Sequence, residues 1–237
     1  MKGKLIVIEG SDGSGKATQS RLLRARLRRE GIPCAGIAFP GYHRGFFGAM
    51  AGRYLRGEFG ASGSVDPHLA ALLYAGDRWE ARERMARLLR AGRVIVCDRY
   101  VDSNKAHQSA RLADPAGAAE FMAWVDKLEH GVYKLPRPDY TLFLSVTERV
   151  ADELIGRKGR RAYLRGLKRD IHEADSGHQR RAHEAYLALA RKRPPSKGAL
   201  IECVVGGRLL SRAEVAEQVW RKVRRVVGRR SHGQKRL

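Results

Sequence analysis

The glycine-rich stretch at residues 10–16, Gly-Ser-Asp-Gly-Ser-Gly-Lys, constrains the fold of this chain more than any other feature. It follows an apolar run, Leu5 to Ile8, and precedes a predicted helix, which is the context in which GxxxxGK spacing forms a phosphate-binding loop. Glycines let consecutive backbone N–H groups turn toward an anion, and Lys16 adds a positive charge beside the phosphates. The stretch therefore predicts a P-loop nucleotide-binding fold.

The position after Lys16 departs from the usual motif. A Ser or Thr hydroxyl there normally binds the Mg²⁺ of the nucleotide, but this chain has Ala17. Thr18 comes one residue later, and one residue turns a helical side chain by ~100°, so it faces another direction. We therefore expect Mg²⁺ to be held mainly through water and Asp98. The predicted phosphate-binding residues are Gly10, Ser11, Asp12, Gly13, Ser14, Gly15, Lys16, Ala17 and Thr18.

Five short apolar runs alternate with helical stretches along the chain. They are rich in β-branched and aromatic residues, which is typical of strands buried on both faces. Strands separated by helices form βαβ units and a parallel sheet. We therefore predict an α/β fold of the P-loop NTPase type, in which helices flank a five-stranded parallel sheet in three layers. The predicted strands are Leu5 to Ile8, Ala35 to Phe39, Val94 to Cys97, Tyr140 to Val146 and Leu200 to Val205.

Two helices have clear boundary signals. The first is predicted to run from the glycine-rich loop to about Glu30, where Gly31 stops it. The last is predicted to begin at Ser211, because Glu214 three residues later completes a capping box. Their inward-facing residues are predicted from helical spacing to be Leu22, Leu23 and Leu27 in the first helix and Val215, Val219 and Val223 in the last.

The length of 237 residues suits one sizeable domain, which we place at residues 1–227. Within it, Gly156 to Arg169 carries seven basic residues and two interspersed glycines. That composition favours a mobile basic lid at about residues 156–170 over a core helix. Residues 228–237 are predicted to form a basic C-terminal tail.

The charge balance is strongly positive, since 47 Lys and Arg against 25 Asp and Glu give a net charge of +22. Such a field attracts nucleotides, nucleic acid and acidic membrane surfaces alike and does not choose between them. No apolar run approaches ~20 residues, so we expect no membrane span. Nucleic-acid binding by the basic tail stays open, but not as the main function.

The three cysteines, Cys34, Cys97 and Cys203, stand in or beside apolar runs, with no CxxC pair. This pattern predicts buried thiols and a reducing compartment. No apolar signal region precedes Leu5. We therefore expect a cytoplasmic protein.

Asp98-Arg99-Tyr100 ends the third apolar run, at the edge where open parallel sheets bind ligands. An Asp there can hold hydrated Mg²⁺, and an Arg can clamp a phosphate through two hydrogen bonds. An ion pair that caps the strand explains these residues equally well. Both interpretations stay open on these residues alone.

Several strings along the chain, together with the glycine-rich loop, resemble those of the thymidylate kinase family and occur in that family's order. The resemblance spans residue 4 to about residue 225. The strings are Ile8-Glu9-Gly10, Gln19, Phe39-Pro40, Asp77-Arg78-Trp79-Glu80, Asp98 through Ser103-Asn104, Leu135-Pro136-Arg137-Pro138-Asp139 and Asp170-Ile-His-Glu173.

The resemblance implies roles for individual residues. Asp12 would accept a hydrogen bond from the sugar 3′-OH and help to place Arg99 on the acceptor phosphate. Tyr74 would stack on the thymine, and Arg78 would read its O4. A core tyrosine and a surface arginine are the alternatives for the last two. The remaining acceptor-site residues implied are Phe39, Ser103, Asn104, His107 and Gln108.

His107 stands where some relatives carry a tyrosine that helps to exclude a ribose 2′-OH, so the resemblance leaves the choice of sugar least determined. The Gly41 to Arg44 segment matches only loosely. Lid arginines would bear on the transferring phosphoryl group, with Arg157 expected first and Arg160 and Arg161 behind it.

The function implied by the resemblance is transfer of the γ-phosphoryl group of ATP to dTMP, giving dTDP and ADP, with Mg²⁺ as cofactor. Lys16, Asp98, Arg99 and Arg157 would be the catalytic residues. The family resemblance also implies a homodimer. The alternatives are a kinase for another pyrimidine monophosphate such as dUMP or UMP, a basic nucleic-acid-binding P-loop ATPase, and an inactive relative that has lost the hydroxyl at Ala17.

Overall fold

A five-stranded parallel sheet forms the centre of the protein in the computed structural model, which describes residues 3–61, 63–157 and 161–228. The strands are β1 (Lys4–Glu9), β2 (Cys34–Ala38), β3 (Val94–Asp98), β4 (Tyr140–Ser145) and β5 (Gly198–Glu202). Their spatial order is β2-β3-β1-β4-β5, and each neighbouring pair is parallel. The predicted α/β class and the parallel sheet are confirmed.

The fifth predicted run proves to contain parts of two strands. β5 ends at Glu202, and Val204–Val205 (β6) pairs with Arg208–Leu209 (β7) as a separate antiparallel hairpin. Gly206 and Gly207 between them both have positive φ, 56° and 77°, which suits the tight two-residue turn of a hairpin. An apolar run alone does not reveal such a turn, because Val204 and Val205 have the same β propensity as the strand before them.

The sheet is covered by helices on both faces. Alternate residues of β1 point to opposite sides, so that Ile6 and Ile8 belong to one buried cluster and Leu5 and Val7 to another, all at most 1% exposed. The three-layer arrangement follows from this alternation. The helices are α1 (Lys16–Arg29), α2 (Phe46–Leu55), α3 (Pro67–Glu80), α4 (Arg82–Arg90), α5 (Val101–Ser109), α6 (Pro115–Asp126), α7 (Glu148–Gly156), α8 (Ser176–Lys192) and α9 (Arg212–Val227), with a π-helical turn at Lys127–Val132 after α6.

The boundary signals of the first and last helices act as predicted. α1 ends at Arg29, just before Gly31, and α9 begins after Ser211 with both hydrogen bonds of the capping box formed to Glu214. Leu23, Leu27 and the three predicted valines of α9 are buried. Leu22 is the exception, since it is only partly buried at the margin of the helix face.

The carboxyl ends of β1 and β3 face a crevice. The chain passes from β1 to β2 on one side and reaches β4 on the other, so the strand order changes direction at β1. Ligands of open parallel sheets bind at such a point, where the two adjoining loops separate. The glycine-rich loop follows β1 and the Asp98-Arg99-Tyr100 string ends β3, so both predicted phosphate-binding segments meet there.

Apart from Gly156 at the end of α7, the described residues of the predicted lid contain no α-helix. α7 ends at Gly156, and Ala162–Leu164 forms one 3₁₀ turn. Arg160 lies outside the described residues, as do residues 229–237 of the predicted tail. The three cysteines are buried thiols, as predicted. None of the described helices has the length and apolar character needed to cross a bilayer.

Candidate active site

A cleft of about 1000 Å³ opens at the carboxyl ends of β1 and β3. The phosphate loop, α3, α5 and the lid form its walls. Most predicted site residues line it, whereas Gly10 and Ser11, the first two residues of the loop, do not. The lining residues include Asp12, Gly13, Ser14, Gly15, Lys16, Ala17, Thr18, Phe39, Tyr74, Arg78, Asp98, Arg99, Ser103, Asn104, His107, Gln108, Arg157 and Arg161.

The phosphate loop packs tightly against α7. Gly13 has φ of +78°, and a Cβ at this position would lie 2.4 Å from the carbonyl oxygen of Ala151. Any larger residue would push the loop out of place. Lys16 is buried, and its Nζ donates to the Ser11 carbonyl oxygen at 2.6 Å. A lysine held over its own loop in this way is placed to meet phosphate oxygens.

The residues near the expected magnesium position fit a hydrated ion. Asp98 ends β3 and lines the cleft with Ala17 and Thr18. The side chain of Ala17 is a methyl group, so this position supplies no hydroxyl to the cleft. Carboxylate oxygens are ligands that Mg²⁺ accepts while keeping several waters. The donor set present here is therefore Asp98, with the Thr18 hydroxyl on the same wall.

Arg99 is held by contacts from three elements. Its Nη2 is ion-paired with Asp12, and its Nη1 donates to Tyr186 Oη at 3.1 Å and to Ser103 Oγ at 3.3 Å. Burial opposes its charge, but the attraction of Asp12 and its neighbours outweighs this effect and raises the pKa of Arg99 well above its usual range. The backbone φ is +63°, an uncommon conformation that clusters at functional sites.

Glu9 anchors the start of α5 beneath this arginine. Its carboxylate is fully buried and accepts from the Tyr100 amide at 2.7 Å and from Ser103 Oγ at 2.6 Å. Burial, together with repulsion from Asp102, raises the pKa of Glu9 to about 7. The carboxylate therefore fixes the helix whose side chains form one wall of the cleft. Sequence reasoning assigned it no role, although it stands in a string quoted for the resemblance.

A buried ion pair supports another wall. Arg78 is 2% exposed, and its Nε and Nη2 donate to the two carboxylate oxygens of Glu129 at 2.5 and 2.7 Å. Burial disfavours the charge, but Glu129 outweighs it and raises the pKa of Arg78. Asn104 Nδ2 donates to Glu129 Oε1 at 2.9 Å and to the Ala71 carbonyl oxygen at 3.1 Å. Arg78 is thus a buried, ion-paired residue and not a surface arginine.

Three histidines meet beside Arg99. His107 Nε2 lies 3.3 Å from Arg99 Nη1, and its Nδ1 lies 3.2 Å from His178 Nε2. Arginine only donates, so His107 Nε2 must accept, and a neutral His107 then donates from Nδ1 to His178. Burial, aided by like charges nearby, lowers the pKa of His172 to about 3, and burial lowers that of His178 to about 4. This cluster is neutral at pH 7.

The lid rests on the cleft through specific contacts. The ring of Tyr163 stacks on Tyr42 at a centroid distance of 3.8 Å, and Arg56 Nη1 donates to the Tyr163 carbonyl oxygen at 2.6 Å. Arg161 is ion-paired with Glu173 at 2.6 Å. Arg157 is exposed at the rim and lines the cleft. The loosely matching Gly41 to Arg44 segment therefore contributes Tyr42, whereas Arg44 is exposed and does not line the cleft.

Several residues of the site carried no functional prediction. Glu129 and Tyr186 lie behind the cleft wall, on elements far along the chain from the residues they contact, and no local motif marks them. His172 and Glu173 belong to Asp170-Ile-His-Glu173, one of the strings that resemble the family. That resemblance was the one signal that could have marked them. Tyr42 stands two residues after Phe39-Pro40, so its position near the acceptor site could have been predicted.

Comparisons with known proteins agree on one family. The model of the family described as "Thymidylate kinase" matches residues 8–197. The thymidylate kinase of Mycobacterium tuberculosis (strain H37Rv) is 37% identical over 186 residues, which are 78% of this chain and 85% of that protein. The probable thymidylate kinase of Pyrobaculum aerophilum is 32% identical over 226 residues, which are 92% and 97% of the two chains.

The fold is also found among solved structures. The structure of thymidylate kinase from Candida albicans superposes with a TM-score of 0.69 at 24% identity, covering 96% of this chain and 94% of that one. At this identity the likeness establishes the fold, and the family assignment comes from the sequence matches.

Proposed function

Because the chain belongs to the thymidylate kinase family, we propose that it transfers the γ-phosphoryl group of ATP to dTMP, giving dTDP and ADP. The observation that carries this proposal is the juxtaposition in one cleft of a phosphate loop, an arginine held for a second phosphate, and a donor–acceptor pair suited to thymine.

The chemistry requires alignment and charge neutralisation more than a base. A nucleotide phosphate is already an ionised nucleophile, so the barrier comes from bringing two anions together. All three cations, Lys16, Arg99 and Arg157, line the cleft. We infer that Lys16 binds the ATP phosphates, that Arg99 holds the acceptor phosphate, and that Arg157 at the rim reaches the transferring group. Asp98 would hold Mg²⁺, which supplies further positive charge on the phosphate oxygens when bound.

The base-facing groups favour a thymine or uracil ring. Among the described residues, Arg78 Nη1 has no hydrogen-bond partner, and neither does the buried Oδ1 of Asn104. A free donor on one residue and a free acceptor on the other complement the O4 and N3–H of thymine. Cytosine presents the opposite pattern, a donor at N4 and an acceptor at N3. Tyr74 supplies an aromatic face in the same cleft.

The sugar preference rests on His107. The family resemblance implies a position near the sugar for this side chain, which lies between Arg99 on one side and His178 on the other. A ring held at both nitrogens leaves little room for an added 2′-hydroxyl. This arrangement supports dTMP over UMP as the acceptor.

The wider context is part of the same proposal. We propose one kinase domain at residues 1–227 with a lid at about residues 156–170, acting as a homodimer in the cytoplasm with ATP and Mg²⁺. Three apolar side chains on α3 and on the π-helical turn are exposed and support association, namely Leu69, Trp79 and Val132. The three free cysteines support a reducing compartment. Sedimentation analysis of the purified protein tests the dimer.

The test is an acceptor panel at fixed salt, with ADP release measured for dTMP, dUMP, UMP, dCMP and dAMP. The proposal expects the highest kcat/KM with dTMP and much lower values with UMP and dCMP. Turnover of UMP as fast as that of dTMP would contradict the proposed preference for deoxyribose and leave a kinase for pyrimidine monophosphates in general. Salt-dependent DNA binding without turnover of any acceptor would contradict the kinase proposal.

A further inference from the structure

Glu129 lies behind the base-facing wall and does not itself line the cleft. It is fully buried on the π-helical turn that follows α6, a rare conformation that is often found at functional sites. Its two carboxylate oxygens accept three hydrogen bonds, two from Arg78 and one from Asn104. One hidden carboxylate thus contacts both residues that present polar groups to the base.

These contacts decide which polar atoms of Arg78 and Asn104 are left for a ligand. Glu129 occupies Nε and Nη2 of Arg78, so Nη1 is the nitrogen left to donate. Asn104 Nδ2 lies between two acceptors, Glu129 Oε1 and the Ala71 carbonyl oxygen. Both acceptors require the NH₂ group of the Asn104 amide to face them, so Oδ1 of the same amide must face away from Glu129 and Ala71. The amide orientation therefore depends on Glu129 being an acceptor only.

We propose that Glu129 is a positioning residue that sets base selectivity, by fixing a donor on Arg78 and an acceptor on Asn104. This inference rests on the proposed function, because it concerns how that site chooses thymine over cytosine. A site whose buried polar groups match one base rejects a base with the reversed pattern, since the wrong base leaves those groups unpaired.

A glutamine at position 129 keeps the shape but reverses one contact. In one orientation the NH₂ group of the glutamine faces Arg78 Nε. In the other it faces both Arg78 Nη2 and Asn104 Nδ2. Each orientation sets one N–H donor against another. The charge that neutralises Arg78 is lost as well, so the arginine is free to leave its position. Selectivity between thymine and cytosine should fall, while the ATP side of the cleft is untouched.

The test compares kcat/KM for dTMP and dCMP in the full-length enzyme and in Glu129→Gln. The ratio does not depend on the fraction of folded enzyme, because both substrates are measured on one sample. We expect the dTMP/dCMP ratio to fall at least tenfold, with a raised KM for dTMP and an unchanged KM for ATP. Glu129→Asp, which withdraws the carboxylate by one methylene, should lower the ratio as well.

Two controls separate positioning from general destabilisation. Asp102→Asn removes another buried, ion-paired carboxylate outside the cleft, paired with Arg193, and should leave the ratio unchanged. In an Asn104→Ala background, Glu129→Gln should have a smaller effect than in the wild type, because residues acting as one unit are not additive.

A dTMP/dCMP ratio within twofold of wild type in both Glu129 variants would overturn the inference and leave the proposed function standing. Absence of dTMP turnover in the wild-type enzyme would instead overturn the proposed function.

Discussion

The guanidinium of Arg99 is ion-paired with the carboxylate of Asp12, and this pair joins the end of β3 to the phosphate loop. An anion bound by Arg99 is thereby held next to the loop that binds the donor phosphates. Phosphoryl transfer needs the two substrates aligned, so we expect this pair to set their relative position. The ion pair of Arg99 thus runs to the phosphate loop, and the binding of an acceptor phosphate by Arg99 stays a prediction.

Replacing Arg99 removes both the acceptor-phosphate clamp and the partner of Asp12. We expect Arg99→Ala to lower kcat/KM for dTMP by about 10³-fold, the lower end of the effect of arginines on transferring phosphoryl groups. Arg99→Lys should recover only a small part, because an ammonium cannot contact Asp12, Tyr186 and a phosphate together. Steady-state kinetics with varied dTMP checks this, and recovery of full activity by lysine would count against a geometric role.

Lys16 is predicted to act on the donor phosphates. We expect Lys16→Met to lower kcat by about 10²-fold to 10³-fold, the usual loss when one electrostatic contact to the transition state is removed. Lys192→Met, at the exposed end of α8, is the matched control and should behave like the wild type. ADP release at saturating dTMP provides the measurement. Similar losses in both variants would point to nonspecific effects of net charge.

Ala17 offers a gain-of-function test. Ala17→Thr restores a hydroxyl at the position where it normally binds Mg²⁺, and the site is exposed enough to accept it. If the added hydroxyl contributes about 1 kcal/mol to the binding free energy of Mg²⁺, the Mg²⁺ concentration for half-maximal activity should fall about fivefold. Ala17→Val has nearly the same shape without the hydroxyl and should show no such shift. Equal shifts in both variants would mean that packing, not coordination, is responsible.

His178 should make stability depend on pH. Its pKa is about 4 in the folded protein against an ordinary 6.5, because burial disfavours the charged ring. The folded state therefore binds fewer protons between these values, so this contribution to stability is lost as pH falls from 6.5 to 4. His178→Gln removes that titration. The slope of unfolding free energy against pH should become shallower by about 1.4 kcal/mol per pH unit.

Denaturant unfolding at several pH values and constant ionic strength measures this slope. His43→Gln is the control, since His43 is exposed and lies outside the histidine cluster, and it should follow the wild type. An unchanged slope in His178→Gln would mean that the ring is not held neutral by burial.

The parts of the fold that local physics determines were predictable from the sequence. The sheet strands follow from short runs of β-branched and aromatic residues, and α9 follows from its capping box and its valines at four-residue spacing. The glycine-rich loop was equally clear, because its glycines and Lys16 have a spacing that few other structures require. These signals lie within a few residues of each other.

The supporting contacts of the site could not be predicted in the same way. Arg78 and Glu129 are 51 residues apart, and His107 and His178 are 71 residues apart. Only the packing of α3 against the turn after α6, and of α5 against α8, brings them together. A glutamate in an ordinary helical stretch looks like a solvated residue until the fold buries it. The hairpin of β6 and β7 was not predicted for a local reason. The sequence of its first strand looks like a continuation of β5.

The most direct test of the account follows the fate of the γ-phosphoryl group. ATP labelled with ³²P at the γ position is incubated with the enzyme, Mg²⁺ and dTMP, and the products are separated by chromatography. We expect the label to appear in dTDP in an amount equal to the ADP formed. Label released as inorganic phosphate, with dTMP unchanged, would contradict it and identify the chain as an ATPase.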